Sequence, residues 1–167
     1  MNGIPLQRIE GRFYRAIKAE FADRILDPPP PNRSGRYHAP GQPALYMTVD
    51  PGWARFVADF NSDMDGARRF VVALEVDEAL VFDQRDEQAC AALGIDRRLS
   101  NAPWRPLTLE GLRPPSWDNA DAARSIGADG IIDPSREIPG GWHVILFRWN
   151  ELGGPTIRIA QAWREPI

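Results

Sequence analysis

The chain has 167 residues, 43% of them apolar, and a formal net charge of −3. That size suits one domain spanning residues 1–167 with a real core, and the composition excludes a disordered chain. The near-neutral charge argues against a dedicated nucleic-acid binder, no run of about 18 apolar residues provides a transmembrane helix, and the N-terminus lacks the pattern of a signal peptide, so a cytoplasmic protein with no membrane and no direct nucleic-acid partner is expected.

Taken in chain order, Phe13–Ile17 is rich in aromatic and branched residues and predicts a first strand. The run from Pro28 to Gly35 contains four consecutive prolines and reads as a stiff extended arm. Ala44–Thr48 predicts a second strand. Asp50-Pro51 has the form of an N-cap followed by proline at the first helical position, and Trp53, Phe56, Val57 and Phe60 continue at helical spacing. Arg69–Val76 and Leu80–Phe82 read as two further strands. Asp86–Leu93 predicts a helix stopped by Gly94, with Cys90, the lone cysteine, as a small half-buried apolar residue. Asn101–Pro115 reads as loop, and Asn119–Ile126 as a helix closed by Gly127. Gly130–Ile132, His143–Phe147 and Thr156–Ala160 complete the strands, with a turn at Pro139-Gly140-Gly141. Strands outnumber helices and their order is mixed, which predicts an α+β fold of small mixed sheets with short helices.

Three segments could carry chemistry. Ser34 to Gly41 packs Arg36, Tyr37 and His38 into a glycine- and proline-bounded turn, where an arginine fork can face an anion or only water. Asp133-Pro134-Ser135-Arg136 places a serine after a buried strand, where it can bind a ligand or cap the turn. The two histidines, His38 and His143, lie far apart, and no metal-binding spacing is present, so no metal is expected. His143, in an apolar strand, reads as a satisfied structural residue. Neither a hydrolase elbow nor a Rossmann or Walker loop is present.

In order along the chain stand Tyr14-Arg15, Gly35-Arg36-Tyr37-His38-Ala39-Pro40-Gly41, Leu45-Tyr46, and Gly127-Ala-Asp-Gly130-Ile-Ile-Asp-Pro134-Ser135. Together they resemble the RES family of small bacterial toxins, over about residues 13–148. The resemblance implies a fold similar to the ADP-ribosyltransferase toxins and a cleft that holds NAD as substrate. It also implies that Arg15 and Arg36 clamp the pyrophosphate, that Tyr46 stacks on nicotinamide or its ribose, and that Ser135 hydrogen-bonds the ligand. An Xre-like DNA-binding antitoxin is the implied partner, and a host protein is a further one if ADP-ribose goes to a protein.

The family's glutamate falls eleven residues after the tyrosine of the second strand, and here that position is Val57. Asp59 lies two residues on, roughly 200° around an ideal helix. Glu75, on the third strand, is the other carboxylate considered. The chemistry explains why one is wanted: nicotinamide leaves as a neutral base, and the transition state resembles an oxocarbenium ion, which a carboxylate stabilises. Arg36, Tyr46, Asp59 and Glu75 are thus the candidate catalytic residues. The acceptor stays open: phosphate gives NAD phosphorolysis, water gives hydrolysis, and a protein side chain gives ADP-ribosylation. A nucleotide-binding module that engages an antitoxin without turnover is the alternative. Arg36→Ala is expected to abolish activity with little loss of stability.

Overall fold

The computed structural model describes residue 3 and residues 5–60 and 66–166, excepting the side chains of residues 60 and 161–166. The architecture is α+β. Six strands, β1 (Gln7–Lys18), β2 (Leu45–Thr48), β3 (Arg69–Asp83), β4 (Gly130–Pro134), β5 (Trp142–Leu146) and β6 (Thr156–Pro166), form one mixed sheet. Among the described residues five short helices accompany them: α1 (Pro51–Phe60), α2 (Glu87–Leu93), α3 (Arg97–Ser100), α4 (Trp104–Leu109) and α5 (Ser116–Ser125).

The strand order is β1-β2-β5-β4-β3-β6, and β1 also pairs with β3. The pairings β1–β2–β5–β4–β3–β1 therefore close on themselves, and β6 adds to the outer edge of β3. All are antiparallel except β3 with β4. One core is formed by Ile9, Phe13, Leu45, Met47, Val72, Leu74, Val81, Ile132, Val144 and Leu146. A second, built on Phe82, Ile131 and Ile145, is covered by α2 and α5 through Ala89, Cys90, Ala120 and Ala123, and Tyr37 joins it.

The strand from Arg69 to Phe82 is continuous, where two strands were expected. Asp77 and Glu78 have the composition of a turn, but they form an irregularity within one strand. The β1–β3 register shifts between Ile9 and Gly11; Gly11 has φ +110° and Glu78 φ +54°. Such a bulge bends the pair without ending it. Local chemistry sets the helix ends as expected at two places. Asp50 Oδ1 accepts the Trp53 N–H at 3.1 Å at the start of α1. Asp86 Oδ1 accepts from Gln88 and Ala89, and Gly94 closes α2 at φ +73°. By contrast, α3 and α4 and the short 3-10 turn Ala19–Arg24 lie where no helix was expected, and α5 starts three residues early. These are short elements held by tertiary packing, which propensity does not report.

Gly130 shows how closely β4 is packed. It pairs with Val81 on one side and Leu146 on the other, and a side chain there would run into the Ile145 carbonyl. Gly130→Ala is expected to destabilise the fold by roughly 1–3 kcal/mol, the usual cost of overpacking. Chemical denaturation checks this; an unchanged midpoint would mean that β4 and β5 can part without penalty.

Candidate active site

β1 pairs with β3 along most of its length but with β2 only at Tyr14–Thr48. Where β1 leaves β2, a cleft of about 470 Å³ opens, within the range of small-molecule sites. Its lining comes from β1 (Tyr14, Arg15, Ala16), the arm and loop 34–38, β2 (Tyr46, Met47, Thr48), α1 (Ala54, Val57, Ala58), α4 (Trp104, Arg105), the β4–β5 hairpin (Asp133, Arg136, Glu137) and β5 (His143, Ile145). Register aligns part of this lining. Tyr14 stands opposite Thr48, Thr48 opposite His143, and His143 opposite Asp133, one row across four strands.

The loop 34–38 is fixed from several sides. Trp117 Nε1–H donates to the Gly35 carbonyl at 2.8 Å, and Ser116 donates to the Arg36 carbonyl. Arg124 Nη2 donates to the Tyr37 carbonyl at 2.9 Å while stacking over Phe147. The Tyr46 hydroxyl accepts the Tyr37 N–H at 3.1 Å and lies 2.9 Å from His38 Nδ1. A side chain at Gly35 would sit 2.6 Å from both the Tyr46 hydroxyl and His38 Cε1. Only glycine admits this approach.

Three buried polar atoms of cleft-lining residues have no hydrogen-bond partner: Arg15 Nη1, His38 Nε2 and Arg136 Nε, the last on a guanidinium whose other nitrogens are bound to Asp133 and the Ser100 carbonyl. Burial pushes the Arg15 guanidinium below its usual range, and no acid among the described residues offsets it. Burial, with Arg124 and Arg15, lowers the His38 pKa to about 4, so the ring is neutral at pH 7. The Tyr46 hydroxyl has one hydrogen to give, and His38 Nδ1 receives it. The imidazole proton is then assigned to Nε2, an unused donor. Burial also raises the pKa of Tyr46, outweighing the Tyr37 N–H and the nearby Arg124, Arg15 and Arg36. The result is a set of enclosed donors in a positively charged pocket, of which Arg15 Nη1 and His38 Nε2 belong to side chains with no acid beside them, suited to an anionic ligand with several oxygens.

Of the residues singled out from sequence, Arg15, Arg36 and Tyr46 meet in the cleft. Arg36 also has a structural role. Its Nη1 donates to the Ser100 and Ala102 carbonyls at 2.7 and 2.9 Å, so Arg36→Ala must also cost stability, contrary to expectation. Ser135 lines an adjoining pocket of about 520 Å³, and its Oγ accepts the Ile138 N–H at 3.0 Å. Asp59 is exposed on α1 and outside the cleft lining, whereas Val57 faces in. Glu75 is bound to Arg12 at 2.8 Å, also outside the lining. Helix phase and an ion pair thus keep both of these carboxylates from the cleft. His143, expected as a satisfied structural residue, lines the cleft, and its side chain makes no hydrogen bond among the described residues. Glu137 and Arg124 carry no local signal in the sequence; they come to the site through the hairpin and through α5, which no local pattern reports. Among the described residues, no group of three or more potential ligands could hold a metal ion, and no helix is long and apolar enough to cross a membrane.

The family model described as RES domain matches residues 5–167. No curated protein matches the chain. A chain of the M. tuberculosis MbcT–MbcA toxin–antitoxin complex is similar in fold, with TM-score 0.68 and 15% identity over 98% of this chain and 87% of that one.

The neutral buried imidazole has a pH signature. The unfolded chain binds the His38 proton with pKa near 6.5, the folded one near 4. Below pH 6.5 the unfolded state therefore takes up a proton that the folded state lacks, and stability falls with pH by about 2–3 kcal/mol down to pH 4. His38→Gln is expected to flatten this part of the curve, measured as denaturation midpoints at pH 7 and pH 4.5 for both proteins.

Proposed function

The chain belongs to the RES-domain family, and on that premise we propose that it is a toxin that binds NAD in this cleft and breaks the nicotinamide–ribose bond. The observation that carries the reading is the pair of enclosed, unpartnered donors, Arg15 Nη1 and His38 Nε2. A buried guanidinium without an acid is costly in an empty protein. A dianionic pyrophosphate supplies the missing charge and acceptors, so the residues present fit the group. Arg36, with donors left beyond its two carbonyl contacts, extends the clamp. Tyr46, half-buried and locked by Tyr37 and His38, presents a ring for nicotinamide or its ribose. Ser135, in the adjoining pocket that shares Asp133 and Arg136 with the cleft, is placed to meet the distal part of a long ligand.

The released ribosyl group passes to an acceptor: phosphate, water or a side chain of a target protein. An antitoxin partner is part of the proposal. The likeness to a chain of a toxin–antitoxin complex supports it. So do two exposed apolar side chains on helices that contribute to the cleft lining: Phe56 on α1, and Leu109 at the end of α4. A DNA-binding antitoxin of Xre type is the partner expected across that mouth. The second reading, binding without turnover, is favoured by the apolar Val57 in the cleft.

The reading is tested by incubation with NAD, with and without phosphate and with lysate proteins, following nicotinamide, ADP-ribose, its phosphorylated product and protein-bound label. Nicotinamide release is expected, and the second product names the acceptor. Stabilisation by NAD with no nicotinamide release would leave the binding module. Arg15→Met gives a sharper test. It removes a buried unpaired charge and keeps the volume, so the protein is expected to gain stability, by about 1 kcal/mol or more. NAD affinity is expected to fall at least tenfold, the loss of one charge-assisted hydrogen bond. A variant less stable than the parent, or one that binds NAD equally well, would refute the clamp.

A further inference from the structure

Resting on the NAD reading, the charge pattern of the cleft carries one step further. Two carboxylates line it, Asp133 and Glu137. Asp133 is committed: its oxygens accept from Arg136 at 2.7 and 3.2 Å, and Gln84 Nε2 lies at 3.5 Å. Glu137 makes no hydrogen bond or ion pair among the described residues, although it shares the cleft with Arg15, Arg36 and Arg136. It is half-buried on a turn that is itself well fixed. The Ser135 N–H donates to the Gly141 carbonyl at 2.9 Å, the Gly141 N–H to the Ile138 carbonyl at 2.9 Å, and the Ile138 N–H to Ser135 Oγ at 3.0 Å. A carboxylate held by a rigid turn in a cationic cleft, and paired with none of its arginines, is available to a ligand.

We propose that Glu137 is a catalytic residue, its carboxylate facing the ribose of NAD and stabilising positive charge at the anomeric carbon, the role no acidic residue of α1 fills. His143, on β5 and without a hydrogen bond, completes the arrangement as proton acceptor. In the step, the anomeric carbon–nitrogen bond breaks and its electron pair neutralises the nicotinamide ring. The oxygen of a water or hydroxyl acceptor bonds to the carbon, and its proton passes to the imidazole, then to solvent. Burial lowers the His143 pKa against the opposing pull of Asp133 and Glu137, with Arg136 adding to the lowering, so the ring is neutral and basic at pH 7. Glu137 also acts through its charge on Arg36 and on His143, both of which line the same cleft.

The experiment compares nicotinamide release and NAD-induced thermal shift for the parent, Glu137→Gln, His143→Gln, and Glu137→Gln combined with Val57→Glu. Glu137→Gln is expected to lower kcat about 100-fold, as for loss of other groups that stabilise transition-state charge, with KM and the NAD-induced shift retained. Val57→Glu is expected to restore at least about tenfold of that loss, because the helix position faces the same cleft. His143→Gln is expected to remove the acidic limb of the pH–rate profile in hydrolysis. A parent that cleaves NAD while Glu137→Gln keeps its rate within threefold would overturn the assignment and leave the NAD reading intact. A parent that neither cleaves NAD nor is stabilised by it would overturn both.

Discussion

The site exists because β1 can satisfy only one of its edges. One edge runs against β3 for most of the strand, and the other meets β2 at the single pair Tyr14–Thr48. Strand twist separates the two strands on either side of that pair. A backbone edge left open in a protein interior must be covered or given to a ligand. Here α1, the arm and the loop 34–38 stand around it, and the gap between them is the cleft. The guanidinium of Arg15 lies in that gap, with its Nη1 buried and without a hydrogen-bond partner.

A polar network holds the far wall. Gln84, fully buried, donates to the Tyr37 hydroxyl at 3.1 Å and accepts from the Ser100 hydroxyl at 2.7 Å; Ser100 in turn accepts from Asn119 at 2.8 Å. Arg36 and Arg136 both donate to the Ser100 carbonyl at 2.7 Å. Connected networks of this kind fix one arrangement more than they add raw stability. They explain how two like-charged arginines stay side by side. Each has carbonyl acceptors, and Arg136 also has Asp133, whose charge raises its pKa despite burial. The network ties α3 and α5 to β4, so short helices with little intrinsic stability become firm supports for the loop above them.

How much of this was legible depended on range. Arg15, Arg36 and Tyr46 stand in compact local motifs, and the structure brings them together in one cleft. The caps at Asp50 and Asp86 and the stop at Gly94 were legible because they are local chemistry. The continuity of β3 was hidden, since Asp77-Glu78 has a turn's composition and only the flanking pairs Gly11–Val76 and Ile9–Ala79 across the sheet make it a bulge. The linear pattern pointed for a carboxylate to Asp59, near Val57, and to Glu75 on β3. The cleft instead receives His143 through the β2–β5–β4 register and Glu137 through the turn that joins β4 to β5, both long-range properties. Ser135 was read from its position after a strand; its hydroxyl is used by the turn, which a linear pattern cannot distinguish from use by a ligand.

The uncompensated charge of Arg15 couples the protein's lifetime to its surroundings. Any compound that binds only the folded chain and neutralises that charge raises the folded population by mass action. Proteolysis of transiently opened chains then slows in proportion to occupancy. Under the proposed NAD reading, exhausting the compound that fills the cleft also withdraws the protein's own protection. Depletion of the substrate thereby sets a limit on how long the consumer persists, without any separate regulatory site.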